Sequence, residues 1–170
     1  MAEEFKRLEP PVYACLGNHE FYSNIPAAQH FIREAGIHLL QDSSVTIGDL
    51  TIIGRDDRSN IHRKPLKEII ANEQVPVDDH FTILLDHQPY HLEQAEQTGI
   101  DFQFSGHTHY GQVWPISWIT RHVYECSYGE YQRGKTRYYI SSGIGIWGGK
   151  FRIGTQSEYV VASIVQKQKR

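Results

Sequence analysis

Apolar and polar positions follow two different periods along this chain, and each change of period marks an element. Val12-Tyr13-Ala14-Cys15-Leu16, entered through the stiff Pro10-Pro11, predicts a first strand that runs to Leu16. Past a loop from Phe21 to Asn24, Ala28, Phe31, Ile32 and Ala35 recur at helical spacing. They predict a core-facing helix capped by Ser23 or Asn24, with Pro26 in its first turn and Gly36 as its stop. Residues 37–40 predict a short strand, and the apolar runs on either side of Gly48-Asp49 predict a two-residue hairpin. Leu66, Ile69 and Ile70 form the inner face of a second helix, about residues 64–72. Phe81-Thr82-Ile83-Leu84-Leu85 reads as a strand buried on both faces. A third helix over residues 91–98 closes at Gly99, and Ile100-Asp101-Phe102-Gln103-Phe104 alternates as a half-buried strand. That strand–helix–strand order predicts an α/β fold. From Trp114 to Tyr139 the chain is rich in Trp and Tyr and leans towards β structure, with core packing as the expected role of its rings. Residues 157–165 predict a last strand.

Composition narrows the function. A length of 170 residues fits one domain, residues 1–170, with flexible ends at 1–10 and 166–170. A net charge of -3 gives no electrostatic case for nucleic-acid binding. Cys15 and Cys126 imply buried thiols and no disulfide framework. No apolar run reaches membrane-spanning length and no signal peptide is visible. With ten histidines, placement has to separate ligands from passengers.

Three polar clusters sit at predicted strand ends: Gly17-Asn18-His19-Glu20, Asp86-His87-Gln88-Pro89, and Ser105-Gly106-His107-Thr108-His109-Tyr110-Gly111-Gln112. Gly106 is expected to let the third loop turn sharply. Loops at the carboxyl ends of strands often carry ligand and catalytic groups, and the three can converge on one sheet edge. Asn18, His87, His107 and His109 then offer one amide oxygen and three imidazole nitrogens, a set that suits Zn, Mn or Fe. His19 could serve as an acid beside them. Taken singly, each cluster has a plainer reading: a polar loop, a core-edge histidine, a Gly-Asn turn. The other histidines lack such placement, and Asp56 and Asp57 are expected in a solvated loop.

In order and spacing, these strings resemble the calcineurin-like metallophosphoesterases. Residues 83–89 and 105–112, with Ser141-Ser142-Gly143-Ile144-Gly145 and Arg152-Ile153-Gly154, are similar to a branch of phosphohydrolases often attached to N-terminal membrane segments. The resemblance covers nearly the whole chain. It implies a four-layer αββα sandwich with mixed sheets, and a dinuclear centre of divalent ions. Asn18, His87 and His107 look like ligands of one ion, His109 like a ligand of the other, and His19 like the acid that assists the leaving group. The implied reaction is attack of metal-bound hydroxide on a phosphomonoester or phosphodiester, in line with the leaving oxygen.

The family's Asp-x-His and Gly-Asp-x-x-Asp motifs have no counterpart here. Asp78-Asp79-His80 lies at the wrong end of its strand, and Gly48-Asp49 sits in a hairpin. The chain therefore reads as a C-terminal part of such a domain, its N-terminal strands missing, with weak activity or none. The alternative is a non-catalytic fragment that binds metal or self-associates, since uncovered sheet edges and apolar surface favour homo-oligomers. The substrate class stays open, as does membrane attachment of a parent protein through an upstream segment.

Overall fold

A computed structural model describes residues 2–165; the expected flexible end at 166–170 lies outside them. Six α-helices are formed by α1 (Ala2–Phe5), α2 (Asn18–Tyr22), α3 (Ile25–Glu34), α4 (Leu66–Asn72), α5 (Glu93–Gln97) and α6 (Ile116–Val123) among the described residues. The strands are β1 (Tyr13–Ala14), β2 (His38–Leu39), β3 (Ser43–Ile47), β4 (Leu50–Gly54), β5 (Phe81–Leu85), β6 (Phe102–Ser105), β7 (Gly129–Arg133) and β8 (Thr136–Ile140). The class is mixed α/β. One sheet has six strands in the order β3-β4-β5-β6-β8-β7, and β1 pairs with β2 in a separate parallel pair. In the larger sheet β4, β5, β6 and β8 run parallel, and antiparallel hairpins close both edges.

Register lines up the buried positions on one face of that sheet. Thr51 pairs with Thr82, Ile53 with Leu84, Leu84 with Gln103 and Gln103 with Tyr138. Leu66 and Ile69 of α4 and Ala95 of α5 pack against this face and complete the core with Leu92, Ile100 and Ile140. The helix predicted at 64–72 thus uses the face expected of it. Its N-terminal neighbour does less: Asn24 caps α3 through Ala27 N at 3.0 Å, yet only Ala35 of the Ala28/Phe31/Ile32/Ala35 stripe is deeply buried. The β3–β4 hairpin turns at Gly48, whose φ of +58° has the sign a II′ turn needs at its first central position.

Five expectations change. The strand Phe81–Leu85 is deeply buried on one face only, because Ile83 and Leu85 on the other are half-covered. The first strand shortens to two residues, since only β2 lies beside it. The aromatic stretch is not β throughout, because α6 occupies 116–123. Its rings do not all enter the core: Tyr138 is buried, whereas the tryptophans stand exposed. Residues 157–165 form no strand; a ladder needs a neighbour, and none of the described strands pairs with them. No helix among the described residues is long and apolar enough to cross a membrane.

Candidate metal centre

The site gathers where parallel strands end. β5 and β6 are adjacent and parallel, so the residues that follow Leu85 and Ser105 emerge side by side. His87 and His107 each stand two positions beyond their strand. Gly106 N donates to His87 O at 3.0 Å, which ties the two loops together. Asn18 opens α2, where Gly17 N donates to the Glu20 carboxylate at 2.9 Å and so fixes the turn into the helix. As a result the buried Asn18 Oδ1 lies 3.0 Å from His87 Nε2 and 3.1 Å from His107 Nδ1. The imidazole rings meet edge to face at 5.3 Å.

The backbone of the third loop departs from expectation. Gly106 does not take the left-handed conformation; His107, His109, Tyr110 and Gln112 do, with φ of 68°, 49°, 49° and 54°. Each such residue other than glycine costs on the order of 1 kcal/mol. Strain concentrated in one loop is a mark of a functional segment.

His19 is exposed, its ring tilted against Tyr22 at 6.2 Å. His109 makes its contacts with Arg152. Arg152 holds it: Nη1 donates to His109 O at 3.1 Å, and Nη2 lies 3.5 Å from His109 Nδ1. The same guanidinium donates to the carbonyls of Ser142 and Gly145 at 2.7 and 2.6 Å.

Burial, more than any neighbouring charge, lowers the basicity of all three loop imidazoles. His87 is pushed down by desolvation against the pull of Asp57 and Glu20. Desolvation, with His87 adding to it, takes His107 down to about 4. His109 is lowered by burial and then by Arg152. The rings are therefore neutral at neutral pH, the state in which imidazole binds a metal.

Asn18 Oδ1 lies close enough to each ring nitrogen for the pair to share an ion, whereas His109 has a guanidinium beside it. Cis ligands with bonds of about 2.1 Å lie roughly 3.0 Å apart, which is the spacing of Asn18 Oδ1 from both ring nitrogens. At His109 a guanidinium stands where a second cation would be repelled. No group of three His, Cys, Asp or Glu among the described residues is arranged to hold an ion.

Sequence reasoning missed a polar scaffold beneath the site. Asp57, expected in a solvated loop, is fully buried, and Gln88 Nε2 donates to both of its oxygens at 2.8 and 3.0 Å. Asp56 is buried too and accepts from Asn60 Nδ2 at 2.7 Å. Asp86 Oδ2 pairs with Arg63 and, at 3.4 Å, with Arg55. Burial raises the Asp86 carboxyl against the pull of both arginines. The available signal was position: Asp57 follows the end of β4 as His87 follows β5. Beside His107, Tyr124 stands edge-on at 6.3 Å, Tyr90 packs on Tyr124, and Arg58 lies 4.3 Å above the Tyr90 ring.

Comparison with known proteins adds the lineage. A family model described as calcineurin-like phosphoesterase matches residues 1–111. The chain is 30% identical over 159 residues to an uncharacterized metallophosphoesterase of Campylobacter jejuni, covering 92% of this chain and 42% of that protein. It is 29% identical to an uncharacterized metallophosphoesterase of Aquifex aeolicus, covering 98% and 66%. It is also 29% identical to a transmembrane protein with metallophosphoesterase domain of Bos taurus, covering 86% and 37%. The chain thus spans about two fifths of the length of the first curated relatives it matches. No solved structure matches it.

Proposed function

The chain belongs to the calcineurin-like phosphoesterase family, and from that premise we propose that it carries part of a metal-dependent phosphohydrolase centre, with Asn18, His87 and His107 as ligands of one divalent ion. The observation that supports this reading is the meeting of one carboxamide oxygen with two imidazole nitrogens at 3.0 and 3.1 Å. Mn, Fe or Zn suits that donor set. A bound ion would supply an activated water and neutralise phosphoryl charge. His87 and His107 present neutral nitrogens, and the Asn18 carboxamide adds an uncharged oxygen. His19, exposed at the rim, is the proposed proton donor to the leaving oxygen. His109 is the proposed ligand of a second ion, a role that requires Arg152 to give way. The substrate is a phosphoester, and the name of the Bos taurus relative supports membrane attachment of a longer parent protein.

Turnover by the chain alone is proposed to be weak, because no carboxylate joins Asn18, His87 and His107 among the described residues. The same fact favours a second reading, a module that binds metal without hydrolysis. Titration calorimetry with Mn²⁺ and Zn²⁺, alongside hydrolysis of p-nitrophenyl phosphate and its diester, tests both. The expected result is one bound ion, lost in His87→Ala, with turnover near background. Binding that survives His87→Ala refutes the ligand assignment. Robust metal-dependent turnover refutes the weak-activity reading and the second reading with it.

A further inference from the structure

The chain has three tryptophans, and none is in the core. Trp114 is 67% exposed, Trp118 70% and Trp147 49%. Large apolar side chains gathered on a surface mark an interaction site. In α6, Ile116, Ile119 and Val123 stand at i, i+3 and i+7, and all three are exposed. The stripe that would ordinarily face a core faces outward. The loop after Gly143 adds Ile144 and Phe151, both exposed.

These pieces are joined. Gln112 Nε2 donates to the carbonyls of Trp147 and Gly149 at 2.7 and 3.0 Å, and Trp147 N donates back to Gln112 Oε1 at 2.7 Å. Trp114 N donates to Ile153 O at 2.8 Å. The segment that leads into α6 and the loop of residues 143–155 are therefore held together by these bonds.

Charge says what covers them. The chain has 20 acidic residues, yet neither residues 111–124 nor residues 143–155 contain Asp or Glu. The charges they do carry are cationic: Arg121 and Lys150, both exposed, and the inward-turned Arg152. Two cationic, acid-free, tryptophan-bearing segments on a protein of net charge -3 complement the phosphate and acyl boundary of a membrane.

We propose that α6 and the loop of residues 143–155 dock the protein on the surface of an anionic phospholipid bilayer. The tryptophans lie at headgroup level, with Arg121 and Lys150 against lipid phosphates. Arg152 belongs to the same scaffold and holds His109, so docking places the candidate centre beside the bilayer.

The test is flotation of the full chain with phosphatidylcholine vesicles, with and without roughly 30% phosphatidylglycerol. The expected result is binding to the anionic vesicles with a blue shift of tryptophan emission. Binding should weaken in salt of about 1 M, where charges are screened within roughly 3 Å. Trp114→Ala with Trp118→Ala, and separately Arg121→Glu with Lys150→Glu, should each weaken it by about tenfold or more. Circular dichroism checks folding, and Trp118→Ala alone keeps the test decisive if a double variant misfolds. Absence of flotation with anionic vesicles, or unchanged binding in the folded tryptophan variant, overturns the proposal. So does a wild-type dimer that the tryptophan variant turns into monomer while neither binds vesicles, which assigns these segments to a second copy. None of these substitutions touches Asn18, His87 or His107, so metal binding stands or falls separately.

Discussion

Replacing Gly17 by Ala tests the geometry of the candidate centre without altering any proposed ligand. Gly17 has φ of -111° and ψ of 177°, an extended conformation that alanine adopts freely. The obstacle is space: a Cβ there would lie 2.9 Å from Cδ2 and Nε2 of His87 and 3.0 Å from its Cε1. Ordinary carbon contacts fall at about 3.5–4.0 Å, so the ring must retreat by roughly half an ångström or more. A retreat of that size breaks the 3.0 Å approach of Nε2 to Asn18 Oδ1. Overpacking costs about 1–3 kcal/mol, offset by about 0.4–1 kcal/mol from the stiffer unfolded chain. The net loss is about 1 kcal/mol, or a Tm lower by roughly 2–4 °C in a domain of this size. Metal affinity should fall about tenfold to a hundredfold, as it does when ligand orientation is disturbed. Thermal unfolding by circular dichroism and Mn²⁺ titration calorimetry measure the two effects. Gly145→Ala is the control, since a Cβ there meets nothing within 4 Å. A Gly17→Ala protein with wild-type Tm and wild-type Mn²⁺ affinity refutes the steric reasoning.

Two further outcomes follow from buried groups. Tyr138 Oη donates to Leu92 O at 2.7 Å in the core. Tyr138→Phe removes that bond and should cost about 0.5–1.5 kcal/mol, seen as a lower urea midpoint at unchanged slope. Unfolded histidine takes its proton near pH 6.5, whereas His107, desolvated, resists until about 4. Between those values the unfolded chain binds more protons, so stability falls as pH drops through that window and is undiminished above it. Unfolding midpoints measured across the window should fall less steeply in His107→Gln.

The chain alone determined a good deal. Period and punctuation located the Gly48 hairpin, the start of α3 at Ser23 or Asn24 and the apolar stripe of α4, because each depends on residues within a turn of one another. Order and spacing of the polar clusters were enough to identify the family, and the structure brings Asn18, His87 and His107 within reach of one another. What only tertiary structure decided depends on partners distant in sequence. Asp57 is buried because Gln88, 31 residues away, comes to its carboxylate. The left-handed turn falls on His107 rather than Gly106, in a loop tied by a bond from Gly106 N to His87 O. His109 meets Arg152, 43 residues on. Gln112 is bonded to Trp147, 35 residues on, a pairing that no local pattern encodes. Local chemistry names the groups and their order along the chain; only packing brings distant segments together and so decides which groups touch.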